Sequence, residues 1–590
     1  MIPFGVTFYP DQWPVDSWED NFKRIKAAGF NIVRFGEMAW DWVEPTPGKF
    51  NFSGLDRALN LCAKLGIKVL LGLPTSQVPP WFFRLYPGSQ PVAQDGTFYP
   101  EAGPRPNICK DNPNYRRLAT RLTKKIVSRY RKHPAVFFWQ LDNEPVYPPL
   151  DHTTSNDFCH CNYTRRAFIT WAKHKYGSLK NLNEVWGTKF WTTTYSSFAD
   201  IQTPKAGIWE AGNPHIFLDW FRFKTERLAE WISHLAKTVR ALDKNHKVGT
   251  NGFIGICTRV PDHSLLAKGL DWYGLDIYPK GGKMAPRDLA FSLDLWRGFA
   301  QHNQAEFHLT ELQGGANVRW GCPDYVAGPE IDWWTRMAFA RGAVALLYHA
   351  WRPPLFGSET GGFGILRTDG SATKRLEVIE KLAKEFSLDK AINHNLKTET
   401  AIVSLRSSEI QTYQEQGPPR GIAGQWEPVR VDIGLLYPLL SIQGAHHFLY
   451  KEGTVVDFIF EQDLPSGQLP YKVIFLPNPY LLSLSQFKGL KKWVAAGGTL
   501  VTDARFGLKN EAGHLYLKPL LNELVDLEYD HTEITDKGFL DVFANRPAKE
   551  EFIIRKSGRG KTIYANFSLF LRLKNGDKKV ATRLAKLLKR

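Results

Sequence analysis

Eight short runs of β-branched and aromatic residues recur through the first 385 positions of this 590-residue chain, separated by stretches with helical signals. They are FGVTFYP (4–10), NIVRFGE (31–37), KVLLGLP (68–74), VFFWQLDNE (136–144), KVGTNGF (247–253), WYGLDIYP (272–279), FHLTELQ (307–313) and AVALLYHAW (343–351). Strand-like runs that alternate with helices describe repeated βα units around a parallel sheet. Eight of them are what a closed (β/α)8 TIM barrel requires, so the expected fold class is α/β with that barrel first. In the first connection Trp18, Phe22, Ile25 and Ala28 repeat at helical spacing over Asp16–Ala28. The connection from Val146 to about Ile216 is too long for an ordinary loop. Insertions after barrel strands shape substrate pockets, and this one is expected to do so.

Past residue 390 the texture changes. TAIVSL, VDFIFE, YKVIFLPNP and GGTLVTDAR read as strands of an open α/β sheet, with LLSLSQFKGLKKWVAAGG as a crossover helix closed by glycine. GPPRGIAGQWEPVR (417–430) reads as a loop, EEFIIRKSGRGKTIYANFS supplies two more strands around a Gly-rich turn, and a helix ends the chain. The expected division is a barrel over 1–387 and an α/β domain over 388–590.

With 43% hydrophobic and 23% charged residues the chain has the composition of a globular protein with a large core. No apolar run approaches 18 residues, and MIPFGVTFYP lacks a basic leader segment, so no membrane partner and a cytoplasmic location are expected. The net charge of +17 comes without a nucleic-acid recognition motif, and the basic tail RLKNGDKKVATRLAKLLKR reads as an amphipathic helix with a solvated face; no nucleic-acid partner is expected. Six cysteines in a chain this long do not make a disulfide framework.

Chemistry concentrates at two strand ends. Run four finishes Asp142-Asn143-Glu144-Pro145, and run seven finishes Thr310-Glu311-Leu312-Gln313. Strands four and seven lie across an eight-stranded barrel from one another, so their carboxylates can converge over its axis. Glycoside hydrolysis needs such a pair: one carboxylic acid protonates the leaving oxygen, and the other carboxylate meets the developing oxocarbenium ion. In the retaining version the two stand about 5 to 5.5 Å apart. Glu144 is expected to have a raised pKa from burial and from the charge of Glu311, with Glu311 ionised. Asn143 can hydrogen-bond the sugar 2-hydroxyl.

GVTFYPDQWP, VRFGEMAWDWVEPTPGKFNFSGLD, GLPTSQVPPWF, HPAVFFWQLDNEP, TELQGG and NVRWG resemble, in order, the patterns of the glycoside hydrolase family 42 β-galactosidases. The resemblance spans the barrel region. It implies Glu144 as acid/base, Glu311 as nucleophile, and sugar contacts from Arg105, Asn143, Trp320 and Glu359, with the Trp320 ring against the apolar face of the sugar. It also implies that the barrel is followed by an α/β domain resembling a glutamine amidotransferase, through which the chain forms a homotrimer. The small β domain that follows in the family is expected to be missing here. An active amidotransferase is excluded, since its nucleophile would be a cysteine and none follows Cys322.

Two departures stand out. Cys109, Cys159 and Cys161 match three of four family zinc ligands while the fourth falls on Thr164, so either His160 or His152 substitutes or structural zinc is absent; catalysis itself needs no cofactor. In the loop after strand eight the family places a histidine three residues beyond the sugar-binding glutamate, and here that position is Gly362. The expected consequence is space beside the sugar and weaker discrimination, with Gly362→His restoring it. The sequence leaves the sugar open among galactose, arabinopyranose, fucose and glucosamine. A catalytically silent glycan-binding barrel is the alternative class.

Overall fold

A computed structural model describes residues 2–102, 105–147, 158–205, 212–254, 261–318, 324–386, 396, 398–416, 428–518, 520–525 and 551–589. The eight runs form eight parallel strands: β1 (Phe4–Thr7), β2 (Ile32–Phe35), β3 (Lys68–Gly72), β4 (Val136–Gln140), β5 (Lys247–Gly252), β6 (Trp272–Ile277), β7 (Glu306–Gln313) and β8 (Ala345–His349). They pair in chain order, and β1 closes on β8 with Gly5 opposite Leu347. Near the bottom of the barrel Ile32, Leu70, Phe138, Trp272 and Leu347 form a small apolar cluster. Gly249 makes this filling possible, because a Cβ there would lie 2.3 Å from the Trp272 ring.

The outer helices bury one face, except that helix Pro286–His302 is buried on every side from Leu289 to Ala300. Helix Trp18–Ala27 buries Trp18, Phe22 and Ile25 as its periodicity requires. Helix Pro113–Tyr130 starts at Asn112, whose side chain accepts from the Asn114 and Tyr115 N–H groups, and buries Tyr115, Leu118, Leu122, Ile126 and Val127. An N-cap of this kind satisfies N–H groups that the first helical turn leaves without partners.

The second sheet has six strands in the order β10-β9-β11-β12-β14-β13. These are β9 (Thr400–Ser404), β10 (Asp457–Phe460), β11 (Val473–Leu476), β12 (Thr499–Thr502), β13 (Phe552–Ser557) and β14 (Gly560–Ala565), with β13 alone antiparallel. The crossover helix forms over Leu484–Ala495, started by a Ser483–Gln486 capping box. Of the expected loop over 417–430, residues 417–427 lie outside the described residues, and residues 428–430 instead open a helix, Pro428–Lys451. Apolar packing and ion pairs join the sheet to the barrel. Phe299 stacks on Phe460 at 4.9 Å, Arg297 pairs with Asp457 at 3.3 Å, and Asp294 lies 2.9 Å from His446.

The described part of the insertion after β4 builds a seam between domains, while 148–157 and 206–211 of it lie outside the described residues. Its helices Asn162–Tyr176 and Leu179–Val185, with the start of helix Pro214–Arg240, enclose a separate core around Phe168, Trp186 and Trp220. Tyr413, Tyr480 and Leu508 of the second domain join that core. Phe168, Trp186 and Trp220 thus help join the two domains, while Phe190 and Trp191 of the insertion are exposed.

Candidate active site

A pocket of about 180 Å³ opens at the C-terminal ends of the barrel strands. Its described lining comes from the ends of seven strands and the loops after them, among them Tyr9, Arg105, Asn143, Glu144, Tyr278, Glu311, His349 and Glu359, and includes no described residue of the insertion helices. Both carboxylates singled out from the sequence face each other there. An oxygen of Glu144 and one of Glu311 lie within 4.8 Å, and Asp276 at the end of β6 places a third carboxylate oxygen within that distance of both.

Glu144 sits just past β4 with φ of 48°, in the left-handed region that costs a non-glycine residue about 1–3 kcal/mol. The surrounding contacts hold it there: its N–H donates to Asn251 Oδ1 at 2.9 Å, and Arg105 Nη2 donates to its Oε2 at 2.7 Å. Burial raises the Glu144 pKa; Arg105 opposes this and the Glu311 charge adds to it, with a net upward shift.

Glu311 has the opposite environment. Burial alone would raise its pKa, but the buried Arg34 guanidinium, His349, the Tyr278 hydroxyl and Arg105 together lower it. Arg34 Nη1 donates to Glu311 Oε1 at 2.7 Å, and the Tyr278 hydroxyl donates to Oε2. Arg34 Nη2 donates to Asn143 Oδ1, which also accepts from Asn251 at 2.8 Å and Gln140 at 3.1 Å. With Oδ1 so engaged, Asn143 turns its amide N–H₂ into service as donor to an incoming hydroxyl. Asp276 accepts from Thr310 at 2.7 Å, and burial followed by the charges of Glu311 and Glu144 pushes its pKa well up. That upward shift works against a third negative charge in the site.

The structure therefore brings together Glu144, Glu311, Asn143, Arg105 and Glu359, whose Oε2 lies 3.2 Å from His349 Nε2. Trp320 lies outside the described residues. Sequence reading passed over Arg34, Tyr9, Asp276, Tyr278, Asn251 and His349. The available signal was a polar residue inside or ending an otherwise apolar run, such as Arg34 in NIVRFGE or His349 in AVALLYHAW.

Two expectations are corrected. Gly362 leaves no vacant space, because a Cβ there would stand 2.3 Å from Val318 Cγ2; the valine fills the position. His160 does not complete the thiol cluster: its Nδ1 lies 2.9 Å from Thr203 Oγ1 and its ring packs on Trp220. His152 is outside the described residues. The cluster is Cys109, Cys159 and Cys161, with Cys109 Sγ 3.4 Å from Cys161 Sγ and 3.3 Å from Thr164 Oγ1. A closed structural zinc site takes four thiolate, imidazole or carboxylate ligands, and a threonine hydroxyl is not of that set. The described residues thus fit a closed zinc site incompletely.

The β-galactosidase family model of glycoside hydrolase family 42 matches residues 7–388, and a β-galactosidase trimerisation domain model matches residues 399–537. A β-galactosidase of Thermus thermophilus is 32% identical over 400 residues, covering 65% of this chain and 60% of that protein. The β-galactosidase BgaA of a Thermus species is 30% identical over 563 residues, 91% of this chain and 81% of that one. Among solved structures, the β-galactosidase of Halorubrum lacusprofundi superposes with a TM-score of 0.82 at 24% identity, covering 98% of this chain and 90% of that chain. That of Rahnella sp. R3 gives 0.83 at 22%, over 100% and 88%. With its barrel matched almost from end to end, this chain belongs to glycoside hydrolase family 42, the β-galactosidase family.

Proposed function

We propose that the protein is a retaining, exo-acting β-glycosidase that hydrolyses terminal β-D-galactosides by double displacement. The carrying observation is the Glu144–Glu311 pair: oxygens within 4.8 Å, one carboxyl with its pKa raised by burial and the other with its pKa lowered chiefly by Arg34. That spacing favours attack by carboxylate over the inverting route, which needs about 6.5–9.5 Å to admit a water. Glu311 attacks the anomeric carbon while Glu144 gives its proton to the departing oxygen. Glu144, now a carboxylate, then takes a proton from the water that releases the sugar from Glu311. Arg105, hydrogen-bonded to Glu144, stands ready for a sugar hydroxyl, as do Glu359 and the Asn143 amide.

A panel of nitrophenyl glycosides tests the reading, with the β-galactoside expected to be the best substrate and the initial product expected in the β configuration by NMR. A preference for the arabinopyranoside, fucoside or glucosaminide would replace the sugar. An α product would remove the mechanism, and inactivity on every glycoside would favour the silent barrel.

For the second domain we propose a glutamine-amidotransferase-like fold acting in homotrimer assembly. A trimerisation-domain match and a mostly parallel six-stranded sheet support it. Light scattering is expected to give three times the chain mass. Among the described residues no helix is long and apolar enough to cross a membrane, and the four cysteines there are free and buried. Free thiols suit a reducing compartment, and we place the protein in the cytoplasm; fractionation of the source cells tests this.

A further inference from the structure

The pocket holds an imidazole that comes from the barrel wall. His349 ends β8 and is 5% exposed. Its Nε2 lies 3.2 Å from Glu359 Oε2 and its Nδ1 lies 3.0 Å from Thr7 Oγ1, so both nitrogens are fixed. Tyr9, Tyr278 and Phe363 box the ring at centroid distances of 6.2, 6.1 and 5.4 Å. From the loop side, Val318 closes off position 362. An imidazole can therefore reach Glu359 from the strand end while the loop position is denied to any side chain.

We propose that His349 is a specificity-determining residue of the sugar pocket, positioning Glu359 for the hydroxyls of the terminal sugar. The inference rests on the glycosidase reading above and adds to it the residue that restores discrimination despite Gly362. The physical reason is that strong rejection of a wrong sugar requires a fixed, buried polar group that the wrong sugar leaves without a partner. A Glu359 carboxylate anchored by His349 is such a group. The charged groups facing the ring are Glu359, Glu311 and Arg34, and the Tyr9 and Tyr278 hydroxyl-bearing rings complete its surroundings. Burial and Arg34 act against the imidazolium, whereas the hydrogen bond to Glu359 and the charges of Glu311 and Glu359 favour it, and the net shift is upward. Reciprocally, His349 is among the groups that lower the Glu311 pKa.

The test compares wild type, His349→Phe and His349→Gln on nitrophenyl β-galactoside and on the β-fucoside and α-arabinopyranoside, whose C5 substituents differ. In His349→Phe, KM for the galactoside is expected to rise about tenfold, the preference for galactoside over the other two sugars to shrink, and the acid limb of kcat/KM to move to higher pH, because Glu311 loses a group that lowers its pKa. His349→Gln keeps an N–H for Glu359 without the charge. It should recover much of the KM and the sugar preference while the acid limb stays displaced, and it decides the matter if the phenylalanine variant fails to fold. An active wild type with either folded variant matching it in KM, sugar preference and acid limb overturns this inference alone. A wild type inactive on all three glycosides overturns both it and the reading on which it rests.

Discussion

Arg34 Nη1 stands 2.7 Å from Glu311 Oε1, with the two side chains 0% and 6% exposed. The same guanidinium reaches Asn143 through Nη2 and pairs with Glu37 at 3.1 Å. One planar cation thus sets the orientation of groups at the ends of β4 and β7. Lysine cannot reproduce that fork. Arg34→Lys is expected to lower kcat/KM by about 10- to 150-fold, the equivalent of one charge-assisted hydrogen bond at ~1.5–3 kcal/mol. Its acid limb should move to higher pH, because a less well-placed cation stabilises the ionised Glu311 less. Kinetics at matched pH values across both limbs would reveal an indifferent Arg34 by an unchanged profile.

Glu144 and Arg105 are expected to respond differently. Glu144→Ala should lose about 100- to 10,000-fold on galactosides with poor leaving groups and far less on those with activated ones, which need no proton. Arg105→Ala removes a cation that lowers the Glu144 pKa, so the basic limb of kcat/KM should move to higher pH as KM rises. A Glu144→Ala loss independent of leaving group would argue against its role as acid.

Thr164 decides the metal question. Its hydroxyl lies 3.3 Å from Cys109 Sγ and 3.5 Å from Cys161 Sγ, where a fourth ligand would belong. Thr164→Cys is expected to bind one zinc per chain, retain it through dialysis against a weak chelator, and raise the melting temperature in zinc-replete buffer. The wild type, with three thiols, should retain less. Elemental analysis of both proteins settles this, and equal retention would show that the hydroxyl suffices.

Gly362 is expected to resist substitution. A methyl at this position meets Val318 Cγ2 at 2.3 Å, so Gly362→Ala should cost about 1–3 kcal/mol of stability, as overpacking does. Val318→Ala in the same chain should relieve most of that loss. Calorimetric melting of the two variants and the pair checks it, and an unaffected Gly362→Ala would show that the valine moves freely.

By itself the sequence determined the barrel, its eight strands and the positions of Glu144 and Glu311. Those features follow from local pattern: apolar runs between helical stretches, each carboxylate at the end of a run, so that closure of the sheet alone brings them to one mouth. The second sheet was legible in the same way, whereas helix Pro428–Lys451, preceded by a Pro- and Gly-rich stretch, was not. Tertiary structure decided what depends on approach between distant segments. Arg34 and Glu311 are 277 residues apart and Thr7 and His349 342 apart, and no periodicity records such a meeting. The same holds for Val318 against Gly362 and for the insertion, whose tryptophans suit a sugar wall and a domain seam equally well by composition. An arginine within an apolar run shows only that some anion must meet it in the barrel; which carboxylate it meets, and hence which one stays ionised, is fixed by packing.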